Sequence, residues 1–236
     1  METERYVCPE CKDTGFVFAK DDRGNEYVKP CKCKALKAAR TKLEQSGLAN
    51  EFRSKSFDNY RTYDNKQLID AKSTAMRFVD TLVESKTENA PSLMLCGQVG
   101  AGKTHLGTAS SIALINQGIA VVYMSYREEI VSLKSKVIDE ASYTKEINRY
   151  KKAPVLFIDD FLKGKVTEAD VNIVYEIINY RYNNNLPLII STEKSLENLI
   201  SFDEAIGSRI IEMCRCFLVY FKGEELNYRL YRGGVA

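Results

Sequence analysis

The sequence predicts an α/β fold, a parallel sheet covered by helices, with a small metal-binding head in front of it. Three observations predict it. Short apolar runs alternate with helical stretches from Leu93 to Phe221, as in a parallel sheet buried on both faces. Gly97-Gln98-Val99-Gly100-Ala101-Gly102-Lys103-Thr104 fits G-x-x-x-x-G-K-[ST] at the joint between the first run and the helix after it, the context that makes the pattern a phosphate loop. Cys8 and Cys11 form a C-x-x-C pair, and Cys31 and Cys33 a C-x-C pair, ahead of all of this.

The 236 residues suit one full domain plus an appendage. We divide them into residues 1–45, the head, and 46–236, the α/β domain, with Ser46-Gly47-Leu48-Ala49-Asn50 as the turn between them. A hydrophobic content of 44% and a charged content of 28% are those of a globular chain. The net charge of +2 confines any nucleic-acid surface to a local patch. No apolar run is long enough to span a membrane, and Met-Glu-Thr-Glu-Arg at the start lacks a signal peptide's apolar segment. A cytoplasmic protein is expected, and its seven cysteines point to metal before disulfides.

In the head, Asp13-Thr14-Gly15 and Asp22-Arg23-Gly24-Asn25 are turn signals flanking two short strands, Phe16-Val17-Phe18 and Tyr27-Val28. That hairpin gathers Cys8, Cys11, Cys31 and Cys33, four thiolates for one tetrahedral zinc. Four free cysteines or a redox pair are the alternatives, and a set of four cysteines alone does not choose zinc over iron. Lys29, Lys32, Lys34, Lys37, Arg40 and Lys42 form a basic run without an acid. It is either a phosphate-contacting strip or a solvated helix face.

The larger domain opens on the aromatic segment 51–63 and a helix over 65–85, with Leu68, Ile69, Ala75, Met76, Phe78, Val79, Leu82 and Val83 expected on its apolar face. A strand over 93–96, the phosphate loop and a helix over 106–115 follow. Then come a strand over 119–124, a helix over 126–137, a polar stretch 139–152 that is irregular or helical, and a strand over 155–158. A helix over 170–183, a strand over 188–190, helices over 196–200 and 202–213, and a strand over 216–221 complete the alternation. Cys96, Cys214 and Cys216 are expected in the core rather than on a metal.

The chemistry gathers at the carboxyl ends of the strands. Glycines let backbone N–H groups crowd round an anion, and a helix N-terminus adds partial positive charge. Lys103 is placed to reach the β- and γ-phosphates of ATP, and the Thr104 hydroxyl to meet Mg²⁺. Val155-Leu156-Phe157-Ile158 followed by Asp159-Asp160 is four apolar residues and two acids, a Walker B pattern. Asp159 then holds Mg²⁺, and Asp160 orients or deprotonates the attacking water. The nucleotide-binding candidates are Gly97, Val99, Gly100, Ala101, Gly102, Lys103, Thr104, His105 and Asp159; His105 packs beside the loop without an evident catalytic partner. Arg209, remote in sequence, is the candidate arginine completing the site of a neighbouring subunit, with an ordinary ion-pairing arginine as the alternative. Arg181 and Arg229 are weaker candidates for that kind of role. Lys134, Lys136, Lys145, Arg149, Lys151 and Lys152, with Tyr126, Tyr143 and Tyr150 among them, form either a single-strand DNA surface or a solvated helix face.

The combination of Gly97 to Leu106, Leu156 to Asp160, Ile178-Asn179-Tyr180-Arg181-Tyr182 and Gly207-Ser208-Arg209 resembles the DnaC/DnaI family of bacterial replicative helicase loaders. These are AAA+ P-loop ATPases related to IstB-type transposition ATPases. The resemblance covers about residues 46–230, and Ser56 to Tyr60 resembles the family's entry segment, which packs near the adenine. The cysteine head resembles the zinc-bearing adaptor of some loaders, phage-type ones included. The resemblance implies ATP and Mg²⁺ at a subunit edge, Arg209 acting in trans, slow regulatory hydrolysis, and self-assembly through the ATP site. It also implies contact with single-stranded DNA and a head that grips a hexameric replicative helicase. A transposition ATPase, or an ATP-binding adaptor with little hydrolysis, is the alternative.

Two departures stand out. The family usually presents Asn after a Ser/Thr pair at the end of the fourth strand; here Ser191-Thr192 is followed by Glu193, a carboxylate that repels a γ-phosphate, so either the Thr192 hydroxyl serves, or Glu193 points away, or hydrolysis is weak. The sequence stops soon after Asn227-Tyr228-Arg229, which leaves Arg229 as the residue available for the role a helical lid usually fills.

Overall fold

The computed structural model describes residues 8–20, 24–31, 33–34, 47, 54–85 and 90–231. Lys32, Lys37, Arg40 and Lys42 of the basic run, and all of the expected boundary turn 46–50 except residue 47, lie outside these residues.

Two sheets form. The first is an antiparallel hairpin of β1 (Phe16–Lys20) and β2 (Glu26–Pro30), paired from Phe16↔Pro30 to Lys20↔Glu26. Cys8, Cys11 and Cys31 are buried against one another with Val17, while Phe16, Phe18, Tyr27 and Val28 are exposed. Among the described residues, the thiols are thus the centre of the head.

The second sheet holds β3 (Leu93–Gly97), β4 (Val121–Ser125), β5 (Val155–Phe161), β6 (Leu188–Thr192) and β7 (Phe217–Phe221). All pairings are parallel, in the order β4-β5-β6-β3-β7. Alternation along each strand divides the core. Leu93, Leu95, Phe157 and Ile189 face α1 (Lys66–Glu84) and α2 (Lys103–Asn116). Met94, Cys96, Leu156, Ile158 and Ile190 face the other layer. That layer is α3 (Tyr126–Lys136), α4 (Glu140–Lys151), α5 (Glu168–Asn183), α6 (Leu196–Phe202) and α7 (Glu204–Cys214). A short 3₁₀ turn (Glu224–Leu226) and α8 (Tyr228–Tyr231) close the described chain. No helix among the described residues is long and apolar enough to cross a membrane.

Local chemistry sets the helix starts. The Asn65 side chain accepts from the Leu68 N–H at 3.3 Å to open α1. Of the residues expected on the apolar face of that helix, Ile69, Met76 and Val83 are exposed. The polar stretch 139–152 is a helix because Asp139 caps it, accepting from the Ser142 N–H at 3.2 Å. Thr167 and Asp170 form a reciprocal capping box on α5, two residues earlier than the apolar pattern indicates. Cys96 and Cys214 are buried as expected, but Cys216 is exposed, because it stands one residue ahead of β7.

One sequence-based candidate changes role, and the structure shows what a second set does within the fold. Arg181 is fully buried on α5: Nη1 donates to the carbonyls of Tyr150 (2.9 Å), Lys151 (3.2 Å) and Ala153 (2.9 Å), and Nη2 to that of Pro187 (2.6 Å). It closes the C-terminal end of α4, where carbonyls lack intrahelical partners, and does not line the cleft at the phosphate loop. The basic and aromatic groups of α3 and α4 brace helices. Lys134 pairs with Asp170 at 2.6 Å, Lys136 with Glu146 at 3.2 Å and Lys151 with Glu176 at 2.8 Å. The Tyr143 hydroxyl donates to Glu176 and that of Tyr150 to Glu129, and both Tyr126 and Tyr150 are buried. Lys145 and Lys152 remain exposed.

Candidate nucleotide site

The phosphate loop joins β3 to α2, and its shape needs glycine. Gly102 caps α2 with φ 86°, and a Cβ there would stand 2.6 Å from the Tyr60 ring. Gly100 has φ 75°, and a Cβ there would collide with the Asn227 side chain. The cap of α2 has no side-chain hydrogen bond, so the first N–H groups of the helix face the cleft. Lys103 is 7% exposed, and its ammonium lies within the loop, donating to the carbonyls of Gly97 (2.8 Å) and Gln98 (2.6 Å). Burial pushes its pKa down, while Glu193 and Asp160 pull it back up.

The loop is clasped by both ends of the domain. From the entry segment, the Tyr60 hydroxyl donates to the Ala101 carbonyl at 3.0 Å. His105 Nε2 lies 2.9 Å from the Ser56 carbonyl, with the imidazole at the edge of the Tyr60 ring, and burial lowers its pKa. From the other end, the Tyr228 N–H donates to the Gly100 carbonyl at 3.1 Å.

The sheet order inserts β6 between β3 and β5. The hydroxyl of Ser191, on β6, therefore sits beside Asp159 at the end of β5 and donates to it. Asp159 also accepts from Thr104 Oγ1 at 2.9 Å and from the Tyr123 hydroxyl at 3.2 Å. It is 5% exposed, and burial raises its pKa against the pull of those donors. The Thr104 hydroxyl and the Asp159 carboxylate are hard oxygen donors at the mouth of the loop, a set that fits Mg²⁺. Asp160 follows with φ 53°, at a register shift between β5 and β6. Its N–H donates to Ser191 Oγ at 3.0 Å, and its carboxylate accepts from Lys163 at 2.9 Å.

Tyr60, Gly100 to His105, Asp159, Asp160 and Lys163 line one cleft of about 810 Å³, which also takes in Val99, Glu193 and Arg229, while Gly97, Tyr123 and Ser191 stand behind it. Arg209 does not line it. Its guanidinium lies on α7 between the rings of Tyr175 and Tyr182, 5.6 and 5.5 Å from their centroids, and donates to the Ala205 carbonyl at 2.7 Å. Lys163 and Tyr123 join the site without having been among the sequence candidates. Lys163 had a signal in Asp160-Phe161-Leu162-Lys163-Gly164, where a turn returns the lysine to the acid; Tyr123, inside an apolar strand, had none.

In the head, the four thiols lie within 4.8 Å of one another, with Cys8 and Cys31 3.8 Å apart and Cys11 and Cys33 3.4 Å apart. Sulfurs about 2.3 Å from a tetrahedral zinc stand roughly 3.8 Å from each other, so the cluster fits that ion. The Gly15 N–H donates to Cys11 Sγ at 3.4 Å, the kind of outer bond that steadies a thiolate ligand.

The profile of the IstB-like ATP binding protein family matches residues 34–230. The chain belongs to that family. The phage-like element PBSX protein XkdC of Bacillus subtilis (strain 168) is 37% identical over 238 residues, covering 97% of this chain and 88% of that protein. Among solved structures, that of the DnaC helicase loader superposes with a TM-score of 0.64 at 28% identity, over 74% of this chain and all of the other. That of DnaI, at 20% identity and a TM-score of 0.60 over 75% of this chain and 93% of the other, shares the fold. The larger domain is thus an AAA+ ATP-binding domain.

Proposed function

We propose that this protein is an ATP-dependent replication factor that loads a hexameric replicative helicase onto single-stranded DNA, with ATP binding and slow hydrolysis as its switch. The observation that carries the reading is the likeness to the DnaC helicase loader over the whole of that structure, joined to a complete phosphate-loop and Walker B cleft. Residues 1–45 act as the helicase-gripping head, with Cys8, Cys11, Cys31 and Cys33 holding structural zinc. Residues 46–236 act as the motor.

In the cleft, the N–H groups at the start of α2 and the Lys103 ammonium hold the phosphates. Thr104 and Asp159 hold Mg²⁺, which adds positive charge beside the transferring phosphoryl group. Asp160 orients the attacking water and receives its proton. Arg209 serves a neighbouring copy's nucleotide. Its absence from its own cleft is what supports action in trans.

A pull-down with replicative helicase, with and without ATP, tests the reading; failure to bind in both states would refute it. The resemblance to IstB-type transposition ATPases, with the match to the IstB-like ATP binding protein family, leaves a second reading, an ATPase that serves a transposase. Binding to a transposase together with silence toward helicase would establish it instead.

A further inference from the structure

The turn after β5 is backbone-strained in an unusual way. Asp160 (φ 53°), Leu162 (φ 57°) and Gly164 (φ 92°) all occupy the left-handed region, and two of the three carry side chains that this region penalises. Such strain clusters where function needs a group aimed. The turn, closed by the Lys163 N–H donating to the Asp160 carbonyl at 3.0 Å, aims Lys163. Its Nζ lies 2.9 Å from Asp160 Oδ2 and 3.4 Å from Glu193 Oε1, bridging the acid after β5's Asp159 to the acid after β6. All three residues line the same cleft as Lys103 and Thr104.

The bridge contributes little to stability. Lys163, Asp160 and Glu193 have side chains 44%, 42% and 36% exposed, and ion pairs so open to water are weak. Its placement matters more. A terminal phosphate entering between Lys103 and Asp160 meets the carboxylates of Asp160 and Glu193, and both repel it. Lys163 is the cation that stands between these two acids. Its flexible four-carbon stem lets a point charge move a few ångströms at small cost.

We propose that Lys163 reads the terminal phosphate of ATP from within its own subunit: it exchanges Asp160 and Glu193 for a γ-phosphate oxygen, so that the cleft distinguishes ATP from ADP and Asp160 is released to the water. Glu193 then acts as a tether for this cation, and its negative charge is tolerable beside phosphate because Lys163 screens it. The proposal rests on the ATP-site reading.

Isothermal titration of the full chain with ADP and with a non-hydrolysable ATP analogue tests it, in the wild type, Lys163→Met and Lys163→Met/Glu193→Gln. A lost charge-assisted bond to a phosphate oxygen weakens the ATP analogue by about tenfold or more in Lys163→Met, with ADP affinity unchanged. The double variant recovers part of that loss, because the unscreened carboxylate is gone. Thermal melting of each variant confirms that it is folded. Lys163→Met with the wild-type ratio of ATP to ADP affinity overturns the proposal, and a double variant no better than Lys163→Met overturns the tether. A wild type that binds neither nucleotide refutes the ATP site itself, and this proposal with it.

Discussion

Replacing Arg181 by Met should lower the protein's stability rather than disable its chemistry. The guanidinium is fully buried, and four carbonyls point at it, those of Tyr150, Lys151, Ala153 and Pro187. The Pro187 carbonyl keeps another partner, the Leu156 N–H at 3.3 Å. The other three lose a charged donor in the interior. At the low end of about 1–3 kcal/mol per orphaned buried group, the loss is about 3 kcal/mol or more. Against it stands the cost of holding a cation in the core, visible in the way burial pushes the Arg181 pKa down to about 9. Breaking buried charged networks on one side nevertheless costs about 3–5 kcal/mol in general, so the net estimate stays near 3. For a domain of this size that is a fall in melting temperature of roughly 6–12 °C. Calorimetry of the wild type, Arg181→Met and Arg181→Lys measures it, with Lys intermediate because one ammonium cannot span the carbonyls. A melting temperature within about 2 °C of wild type in Arg181→Met, less than the shift expected for a single kcal/mol, would refute the clamp. Turnover lost per folded molecule at unchanged stability would return Arg181 to the list of catalytic arginines.

Four further outcomes follow from the same geometry. Lys103→Ala should abolish nucleotide binding by equilibrium titration, and unchanged affinity would sink the phosphate-loop assignment. Asp159→Asn should lose Mg²⁺-dependent ATPase yet melt higher than the wild type at neutral pH without added metal or nucleotide. Its folded pKa is raised, so the ionised carboxylate costs stability above that value, and the gap between the two proteins should close as pH falls below the ordinary carboxylate range. Elemental analysis should find about one zinc per chain, lost in Cys8→Ser/Cys11→Ser, since a tetrahedral set of four thiolates holds a single ion; a metal-free head with the same proteolytic resistance would count against the site. Arg209→Ala and Lys103→Ala should each be inactive alone and regain turnover when mixed, because one supplies an intact loop and the other an intact arginine; no recovery would argue against action in trans.

The strands were legible because apolar runs such as Leu93 to Cys96 and Val155 to Ile158 are long enough to be buried on both faces and are bounded by glycine or acids. The phosphate loop was legible because its glycines, lysine and hydroxyl are fixed by one short backbone path. The four thiols were legible because metal-ligand spacing is short-range. What hid was whatever depends on strand order. Nothing in the one-dimensional pattern says that β6 enters between β3 and β5, so the Ser191 hydroxyl on Asp159 and the approach of Glu193 to Lys163 were invisible. The basic and aromatic residues of α3 and α4 left two readings open for a related reason. A lysine facing water and a lysine facing Glu176 on another helix have the same local sequence signature, and only the packing of α4 on α5 separates them.

The double clasp on the phosphate loop has a mechanical consequence. Ser56 and Tyr60 grip it from the segment that leads back to the head, and Tyr228 grips it from the far end of the described chain. The loop therefore works like the pin of a buckle joining the two straps of the domain. A shift of the Ala101 carbonyl or of His105 pulls directly on Tyr60 and Ser56. Movement at the loop thus reaches the entry segment with no need to pass through the sheet.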